Sequence, residues 1–275
     1  MPFTPSHAVL ALPFVRTPLV PAAIAVGAMT PDLPLFLRGM VPHYGMTHDL
    51  AWMPLTVVLA LMLLLVWRCV LRPAVGEFAP RVVAERLPRA WDADARSGLR
   101  ETLGGGVRGI ALLVLSAAVG VASHIVWDLF THEGRTGADI FPVLAAQWGP
   151  LSGVKWMQHA SSALGLLILF VWAVLRLRRN RPAPRRRILP TPLRVTWWAS
   201  LPVALVGAAV AGFLVWGPFD ADFSPTHLVY AVLPQTCAVW GVVSVVIAVG
   251  VQVRRRRALP RNDAESGLRH ARDVA

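Results

Sequence analysis

Charge is scarce in this chain. Asp, Glu, Lys and Arg make up 15% of its 275 residues, against roughly a quarter in an ordinary soluble domain. That deficit comes with 55% hydrophobic residues and a mean hydropathy of +0.55. Together they argue against a cytosolic enzyme and exclude a disordered chain. Cysteine is nearly missing: Cys69 and Cys237 stand alone, outside any CxxC spacing. Neither a disulfide framework nor a thiolate metal site is expected. Lys155 is the single lysine. No basic run precedes the first apolar stretch, which Pro13, Pro18 and Pro21 interrupt, so a cleaved signal peptide is not expected.

What the chain does have is long apolar runs. Five segments, at about 50–70, 107–129, 158–176, 197–217 and 228–253, each supply the ~20 residues needed to cross hydrocarbon. Pro234 predicts a kink in the fifth. Ser116, Ala117, Gly120 and Ser123 predict close packing of the second against its neighbours. The expected class is an all-α polytopic membrane helix bundle. It forms one integral-membrane domain over residues 1–258, followed by a disordered tail at 259–275. Residues 4–29 are apolar but broken by prolines and Arg16. Two arms meeting near Arg16–Pro18 are each too short to span, which predicts a re-entrant or interfacial helical hairpin rather than one tilted span.

Arginine sets the orientation. The net charge is +12, and 23 of the 27 basic residues lie in 68–108, 176–194 and 254–275. With five spans these segments share one side, which the positive-inside rule makes the cytoplasmic face of a plasma membrane. The C-terminus then lies inside, and the N-terminal region, the 130–157 loop and the 218–227 loop face outward. Arg16, Arg38, Arg135 and Lys155 fall on that outward side. The 74–106 loop, with five acids among its arginines, reads as a cytoplasmic surface helix pair. The Arg runs flank span ends, so topology explains them and no nucleic acid is expected as a partner; the partner is the lipid bilayer.

Histidine carries the functional signal. His7, His43, His48, His124, His132, His159 and His227 all fall in outward segments or at outer span ends, with Asp32, Asp49 and Asp128 beside them. Polar groups at a membrane boundary are costly unless partnered, so such a group is a functional-site candidate. His124, Asp128 and His132 follow i, i+4, i+8 spacing. Successive members differ by about 40° in azimuth and ~6 Å in height, so neighbours can share an ion, but His124 and His132, ~12 Å apart on a regular helix, cannot. His124 with Asp128 is therefore the primary pair. Imidazole plus carboxylate suits Zn²⁺ first, with Mn²⁺ or Fe²⁺ as alternatives. Taken singly, His7 is also readable as a helix cap, Asp32 as a turn residue, and His48 and Asp49 as helix-start residues. His159 and His227 read as interfacial.

Ser6-His7, Pro31-Asp32 and His43-Tyr44-Gly45-Met46-Thr47-His48, followed far downstream by His124-x-x-x-Asp128, form a combination that resembles the bacterial membrane-bound metal-dependent hydrolases. Those families carry an early His, a Pro-Asp and an HRGxTH element. Tyr44 stands where they have Arg. The opening MPFTPSHAVLALPF, the GAMTPDLPLFL stretch and the THDL start of a span look more closely like the family named domain of unknown function 4184. The resemblance covers most of the chain, with its motifs in 1–50 and 123–133. It implies a multi-span bacterial membrane protein and, by analogy, a metal-dependent hydrolase.

On this reading His7, Asp32, His48, His124 and Asp128 hold one or two divalent ions at the outer membrane–water boundary. His43 serves as a ligand or general base, and the substrate is a lipid or lipid-linked ester. The competing reading is non-enzymatic: a structural metal or hydrogen-bond knot fixing the N-terminal hairpin to the second span. A transporter is disfavoured because the third to fifth spans lack ionisable residues near the midplane.

Overall fold

The computed structural model describes residues 3–40, 42–220 and 223–258. The predicted tail at 259–275 lies outside the described residues. Among the described residues the regular structure is helical but for one two-stranded antiparallel pair, Gln147–Trp148 with Leu151–Ser152. Five helices among the described residues are long and apolar enough to cross a membrane: Leu50–Phe78, Gly106–Thr131, Gly153–Arg179, Thr191–Trp216 and Pro225–Arg257. The protein is a multi-pass membrane protein with an all-α helix bundle.

These spans match the five apolar runs and outreach them. The first continues past its apolar stretch through a π-helical turn, Trp67–Leu71, and on to Phe78. It can do so because Arg68 and Arg72 are buried against the 95–103 helix rather than ending the span in water: Arg72 donates to both Glu101 carboxylate oxygens at 3.0 and 2.5 Å. The fifth runs as one helix through Pro234.

The second span is the centre of the bundle. Leu113, Ala117, Val121 and Ile125 form a core with Ala23 and with Val57, Ala60 and Leu64 of the first span. The third and fourth spans bury few of their side chains. Their exposed leucines, valines and aromatics face hydrocarbon, where apolar surface carries no penalty.

Residues 4–29 fold as a hairpin. The descending arm, Thr4–Phe14, is a 3-10 helix, and the returning arm, Pro21–Met29, is α-helical. The returning arm runs parallel to the second span. Its Val20 N–H donates to Ser116 Oγ at 2.8 Å, and its Ala28 carbonyl accepts from His124 Nδ1 at 2.7 Å. The small residues predicted to permit close packing do so here: a Cβ on Gly120 would collide with the carbonyl of Ile24, and one on Gly27 with the carbonyl of Ala117. Because a 3-10 helix rises ~2 Å per residue, the eleven residues of the descending arm cover ~22 Å. The tip therefore travels far into the bundle. Arg16 shares a cavity of about 710 Å³ with Trp91, Arg176 and Asn180. This corrects the outward placement of Arg16, which joins the Arg-rich end. It also decides between the two hairpin forms: the segment is re-entrant, not interfacial, since both of its ends return to the opposite end of the bundle.

Candidate metal centre

Four elements meet where the hairpin closes. The descending arm brings His7, the turn after the returning arm brings Asp32, the short turn Tyr44–Thr47 ends at His48, and the second span brings His124 and Asp128. All five side chains are buried; His124 is 0% and Asp32 1% exposed. The residues are up to 121 positions apart in the chain, so tertiary packing alone assembles them.

Neighbouring groups fix their orientation. Thr47 Oγ1 donates to the Pro31 carbonyl at 2.7 Å, tying the Pro-Asp turn to the Thr-His element. Thr4 Oγ1 donates to Asp32 Oδ2 at 2.6 Å. His48 Nδ1 lies 2.9 Å from the Tyr44 carbonyl, and the Tyr44 ring stacks on the His48 ring at 3.8 Å. His124 Nδ1 lies 2.7 Å from the Ala28 carbonyl. A carbonyl oxygen only accepts, so both Nδ1 atoms carry hydrogen and donate. In the neutral rings, both Nε2 atoms then present bare lone pairs.

Those two Nε2 atoms are 3.2 Å apart. Two lone pairs cannot bond to one another, so a proton or a cation belongs between them. Asp128 Oδ2 is 3.4 Å from each Nε2, and Asp32 Oδ1 is 3.7 Å from each. Bonds of about 2 Å to one tetrahedral ion place ligand atoms about 3.3 Å apart, which the donor spacings approach. Two carboxylates also balance one divalent charge. Two triads have ligand atoms all within 4.8 Å of one another, His7 with Asp32 and His124, and His48 with His124 and Asp128. They share His124, which has one free nitrogen, so they describe a single ion's surroundings better than two. His7 Nε2, Asp32 Oδ1 and Asp128 Oδ1 are buried without a hydrogen-bond partner. Orphaned lone pairs of this kind are what a metal site presents before its ion, so the residues fit a divalent cation.

His7 lies outside the five spans and stacks on His124 at 4.1 Å. Burial, and next the neighbouring His124, push its pKa down to about 3, which keeps its lone pair free at neutral pH. Tyr44 is raised, by burial and then by the Asp32 and Asp128 carboxylates, and stays a phenol.

The remaining predicted residues separate. His43 is exposed and begins the Tyr44–Thr47 turn, its carbonyl accepting from Met46 and Thr47. Asp49 caps the start of the first span by accepting from the Ala51 N–H at 2.9 Å. His159 and His227 are exposed. His132, placed second by helical spacing, belongs to neither triad but stays beside Asp128. The second span ends at Thr131, and the next residue's Nδ1 lies 3.6 Å from Asp128 Oδ2, as i, i+4 spacing expects. Its Nε2 is buried and unpartnered, and burial lowers its pKa. Thr4, Ala28 and Tyr44 lay within the quoted motifs, but their orienting roles had no sequence signal, whereas Thr47 is a fixed position of the HxGxTH element.

Fold and site together define a polytopic helical membrane protein with a buried His/Asp group at one end of its bundle. The chain belongs to the family described as Domain of unknown function (DUF4184), which it matches over residues 1–253. No curated protein and no solved structure matches it.

Proposed function

We propose that this protein is a metal-dependent hydrolase of the bacterial plasma membrane, with its site at the outer membrane–water boundary and a lipid or lipid-linked ester as substrate. The observation that carries the reading is the 3.2 Å approach of His48 Nε2 to His124 Nε2, each ring held by a carbonyl at its other nitrogen. The charge distribution supports the orientation: the His/Asp group lies at the end of the bundle opposite the Arg-rich segments.

His48, His124, Asp32 and Asp128 would hold the ion, Zn²⁺ first with Mn²⁺ or Fe²⁺ as alternatives, and His7 completes the donor set. When bound, such an ion supplies Lewis acidity and brings the pKa of water toward neutrality. The chain's residues do the rest. The Ala28 and Tyr44 carbonyls orient the imidazoles, and Thr4 and Thr47 hold the Asp32 turn in register. His132 takes the role of base in preference to the exposed His43. Its Nε2 accepts the proton of the attacking water and returns it to the departing alcohol. The water oxygen thereby replaces the alcohol oxygen on phosphorus or on the acyl carbon.

Asp128→Asn tests this against a structural knot. The substitution keeps shape and removes a charge. For an active site, metal is lost while residues 1–45 keep their resistance to protease, because apolar packing holds the bundle. Prompt cleavage of the hairpin on metal loss would favour the knot.

A further inference from the structure

A second feature opens directly from the His/Asp group. A cavity of about 200 Å³ lies between the descending arm and the second and third spans, lined by His7, Leu10, Trp127, Leu164, Gly165 and Ile168 among others. The arm and the third span touch at Gly165, where a Cβ would sit 3.0 Å from the Ser6 carbonyl oxygen. The groove lies beside that contact, with Ser6 and Gly165 both in its lining. Its third-span wall is exposed: Leu164 is 58% and Ile168 41% accessible, on a helix that buries few side chains. The open side therefore faces hydrocarbon. No residue lining it carries a fixed charge. His7, whose Nε2 is unpartnered, belongs both to this groove and to the donor set.

We infer that the groove seats an acyl chain of a glycerophospholipid that enters sideways from the bilayer. The chain lies along Leu164 and Ile168 and the ester linkage is drawn past His7 toward the carboxylates. This rests on the proposed hydrolase reading and adds to it the substrate class and the path of approach. Acyl chains are the ligand that an uncharged groove meets at a hydrocarbon-facing surface. The cavity is small, so it grips part of one chain and leaves the rest in the bilayer.

Photocrosslinking tests it. The full chain is reconstituted in phosphatidylglycerol–phosphatidylethanolamine vesicles carrying a phosphatidylglycerol with a diazirine on one acyl chain, and adducts are mapped by mass spectrometry. Adducts on peptides containing Leu10, Leu164 and Ile168 should exceed those at Val203 and Val206 of the fourth span severalfold. Ile168→Trp and, separately, Leu164→Trp should each cut groove labelling severalfold without changing metal content. His124→Ala should remove metal and leave the labelling. Labelling spread evenly over both spans, or unmoved by either Trp variant, overturns the groove. Groove labelling in a wild-type protein that holds no metal overturns its link to hydrolysis instead, so the two failures are told apart.

Discussion

Carboxylates gather at both ends of the bundle, and the chain treats them differently. At the Arg-rich end each of the five acids in 74–106 has an arginine: Glu77 with Arg255, Glu85 with Arg81, Asp92 with Arg185, Asp94 with Arg256 and Glu101 with Arg72. Glu77, fully buried, accepts from Arg255 at 2.7 Å and from the N–H groups of Ile188 and Leu189 at 3.0 and 3.1 Å. Arg72 holds the Glu101 carboxyl below the usual range. At the other end, the ion-pair partners of Asp32 and Asp128 among the described residues are histidines. The unpartnered buried atoms differ in kind as well. At the Arg-rich end they are arginine N–H groups; at the other they are carboxylate oxygens and imidazole nitrogens. An orphaned donor cannot take a cation, whereas orphaned lone pairs can. Leaving such groups unmet costs about 1–3 kcal/mol each. Burial of charge alone therefore does not mark a site: the Arg-rich end is a clamp with its carboxylates engaged, and the His/Asp end is the one with bonds left to make.

Breaking the clamp should have the largest effect on stability. Glu77→Ala leaves Arg255 and two backbone N–H groups without their acceptor, and thermal or denaturant unfolding should report a loss of about 3 kcal/mol. Metal content per folded chain should stay unchanged. Loss of metal in that variant would mean that the two ends are not separable.

A smaller and more selective effect is expected from Thr47→Val, which keeps the side-chain shape but removes the bond to the Pro31 carbonyl. Competition with a chelator should show metal affinity lowered by ~10–100-fold, the usual cost of losing an orienting partner around a metal. Stability should fall by only about 1 kcal/mol. Equal affinity in wild type and variant would remove Thr47 from the supporting shell.

The least perturbing prediction concerns which end faces out. With Cys69 and Cys237 replaced by Ser, Asp220→Cys should react with an impermeant thiol reagent in intact cells. Reaction only after permeabilisation would reverse the assignment of both ends.

How much of this was legible in sequence follows from the range of each interaction. The spans were legible because hydropathy over twenty residues is a local property. The hairpin was legible because prolines set its arms. The gathering of His7, Asp32, His48, His124 and Asp128 could be expected because charge-derived topology put all five on one side. The depth of the hairpin tip was not, since nothing in residues 4–14 distinguishes a 3-10 rise from an α rise in advance, and so Arg16 was assigned to the wrong end. The clamp was hidden for a related reason. Arginine runs at span ends satisfy the positive-inside rule whether or not they pair, and pairs such as Asp92 with Arg185 or Glu77 with Arg255 join segments that only the fold brings together.

Elemental analysis of the protein purified without added metal, beside a His124→Ala variant prepared in the same way, tests the central claim most directly. His124 is the residue common to both candidate triads. About one first-row divalent ion per wild-type chain is expected, matching a single His/Asp group around His124, with near-complete loss of it in the variant. A folded wild-type protein that holds no metal and takes up none when Zn²⁺, Mn²⁺ or Fe²⁺ is supplied would contradict it, as would a variant that retains the full complement.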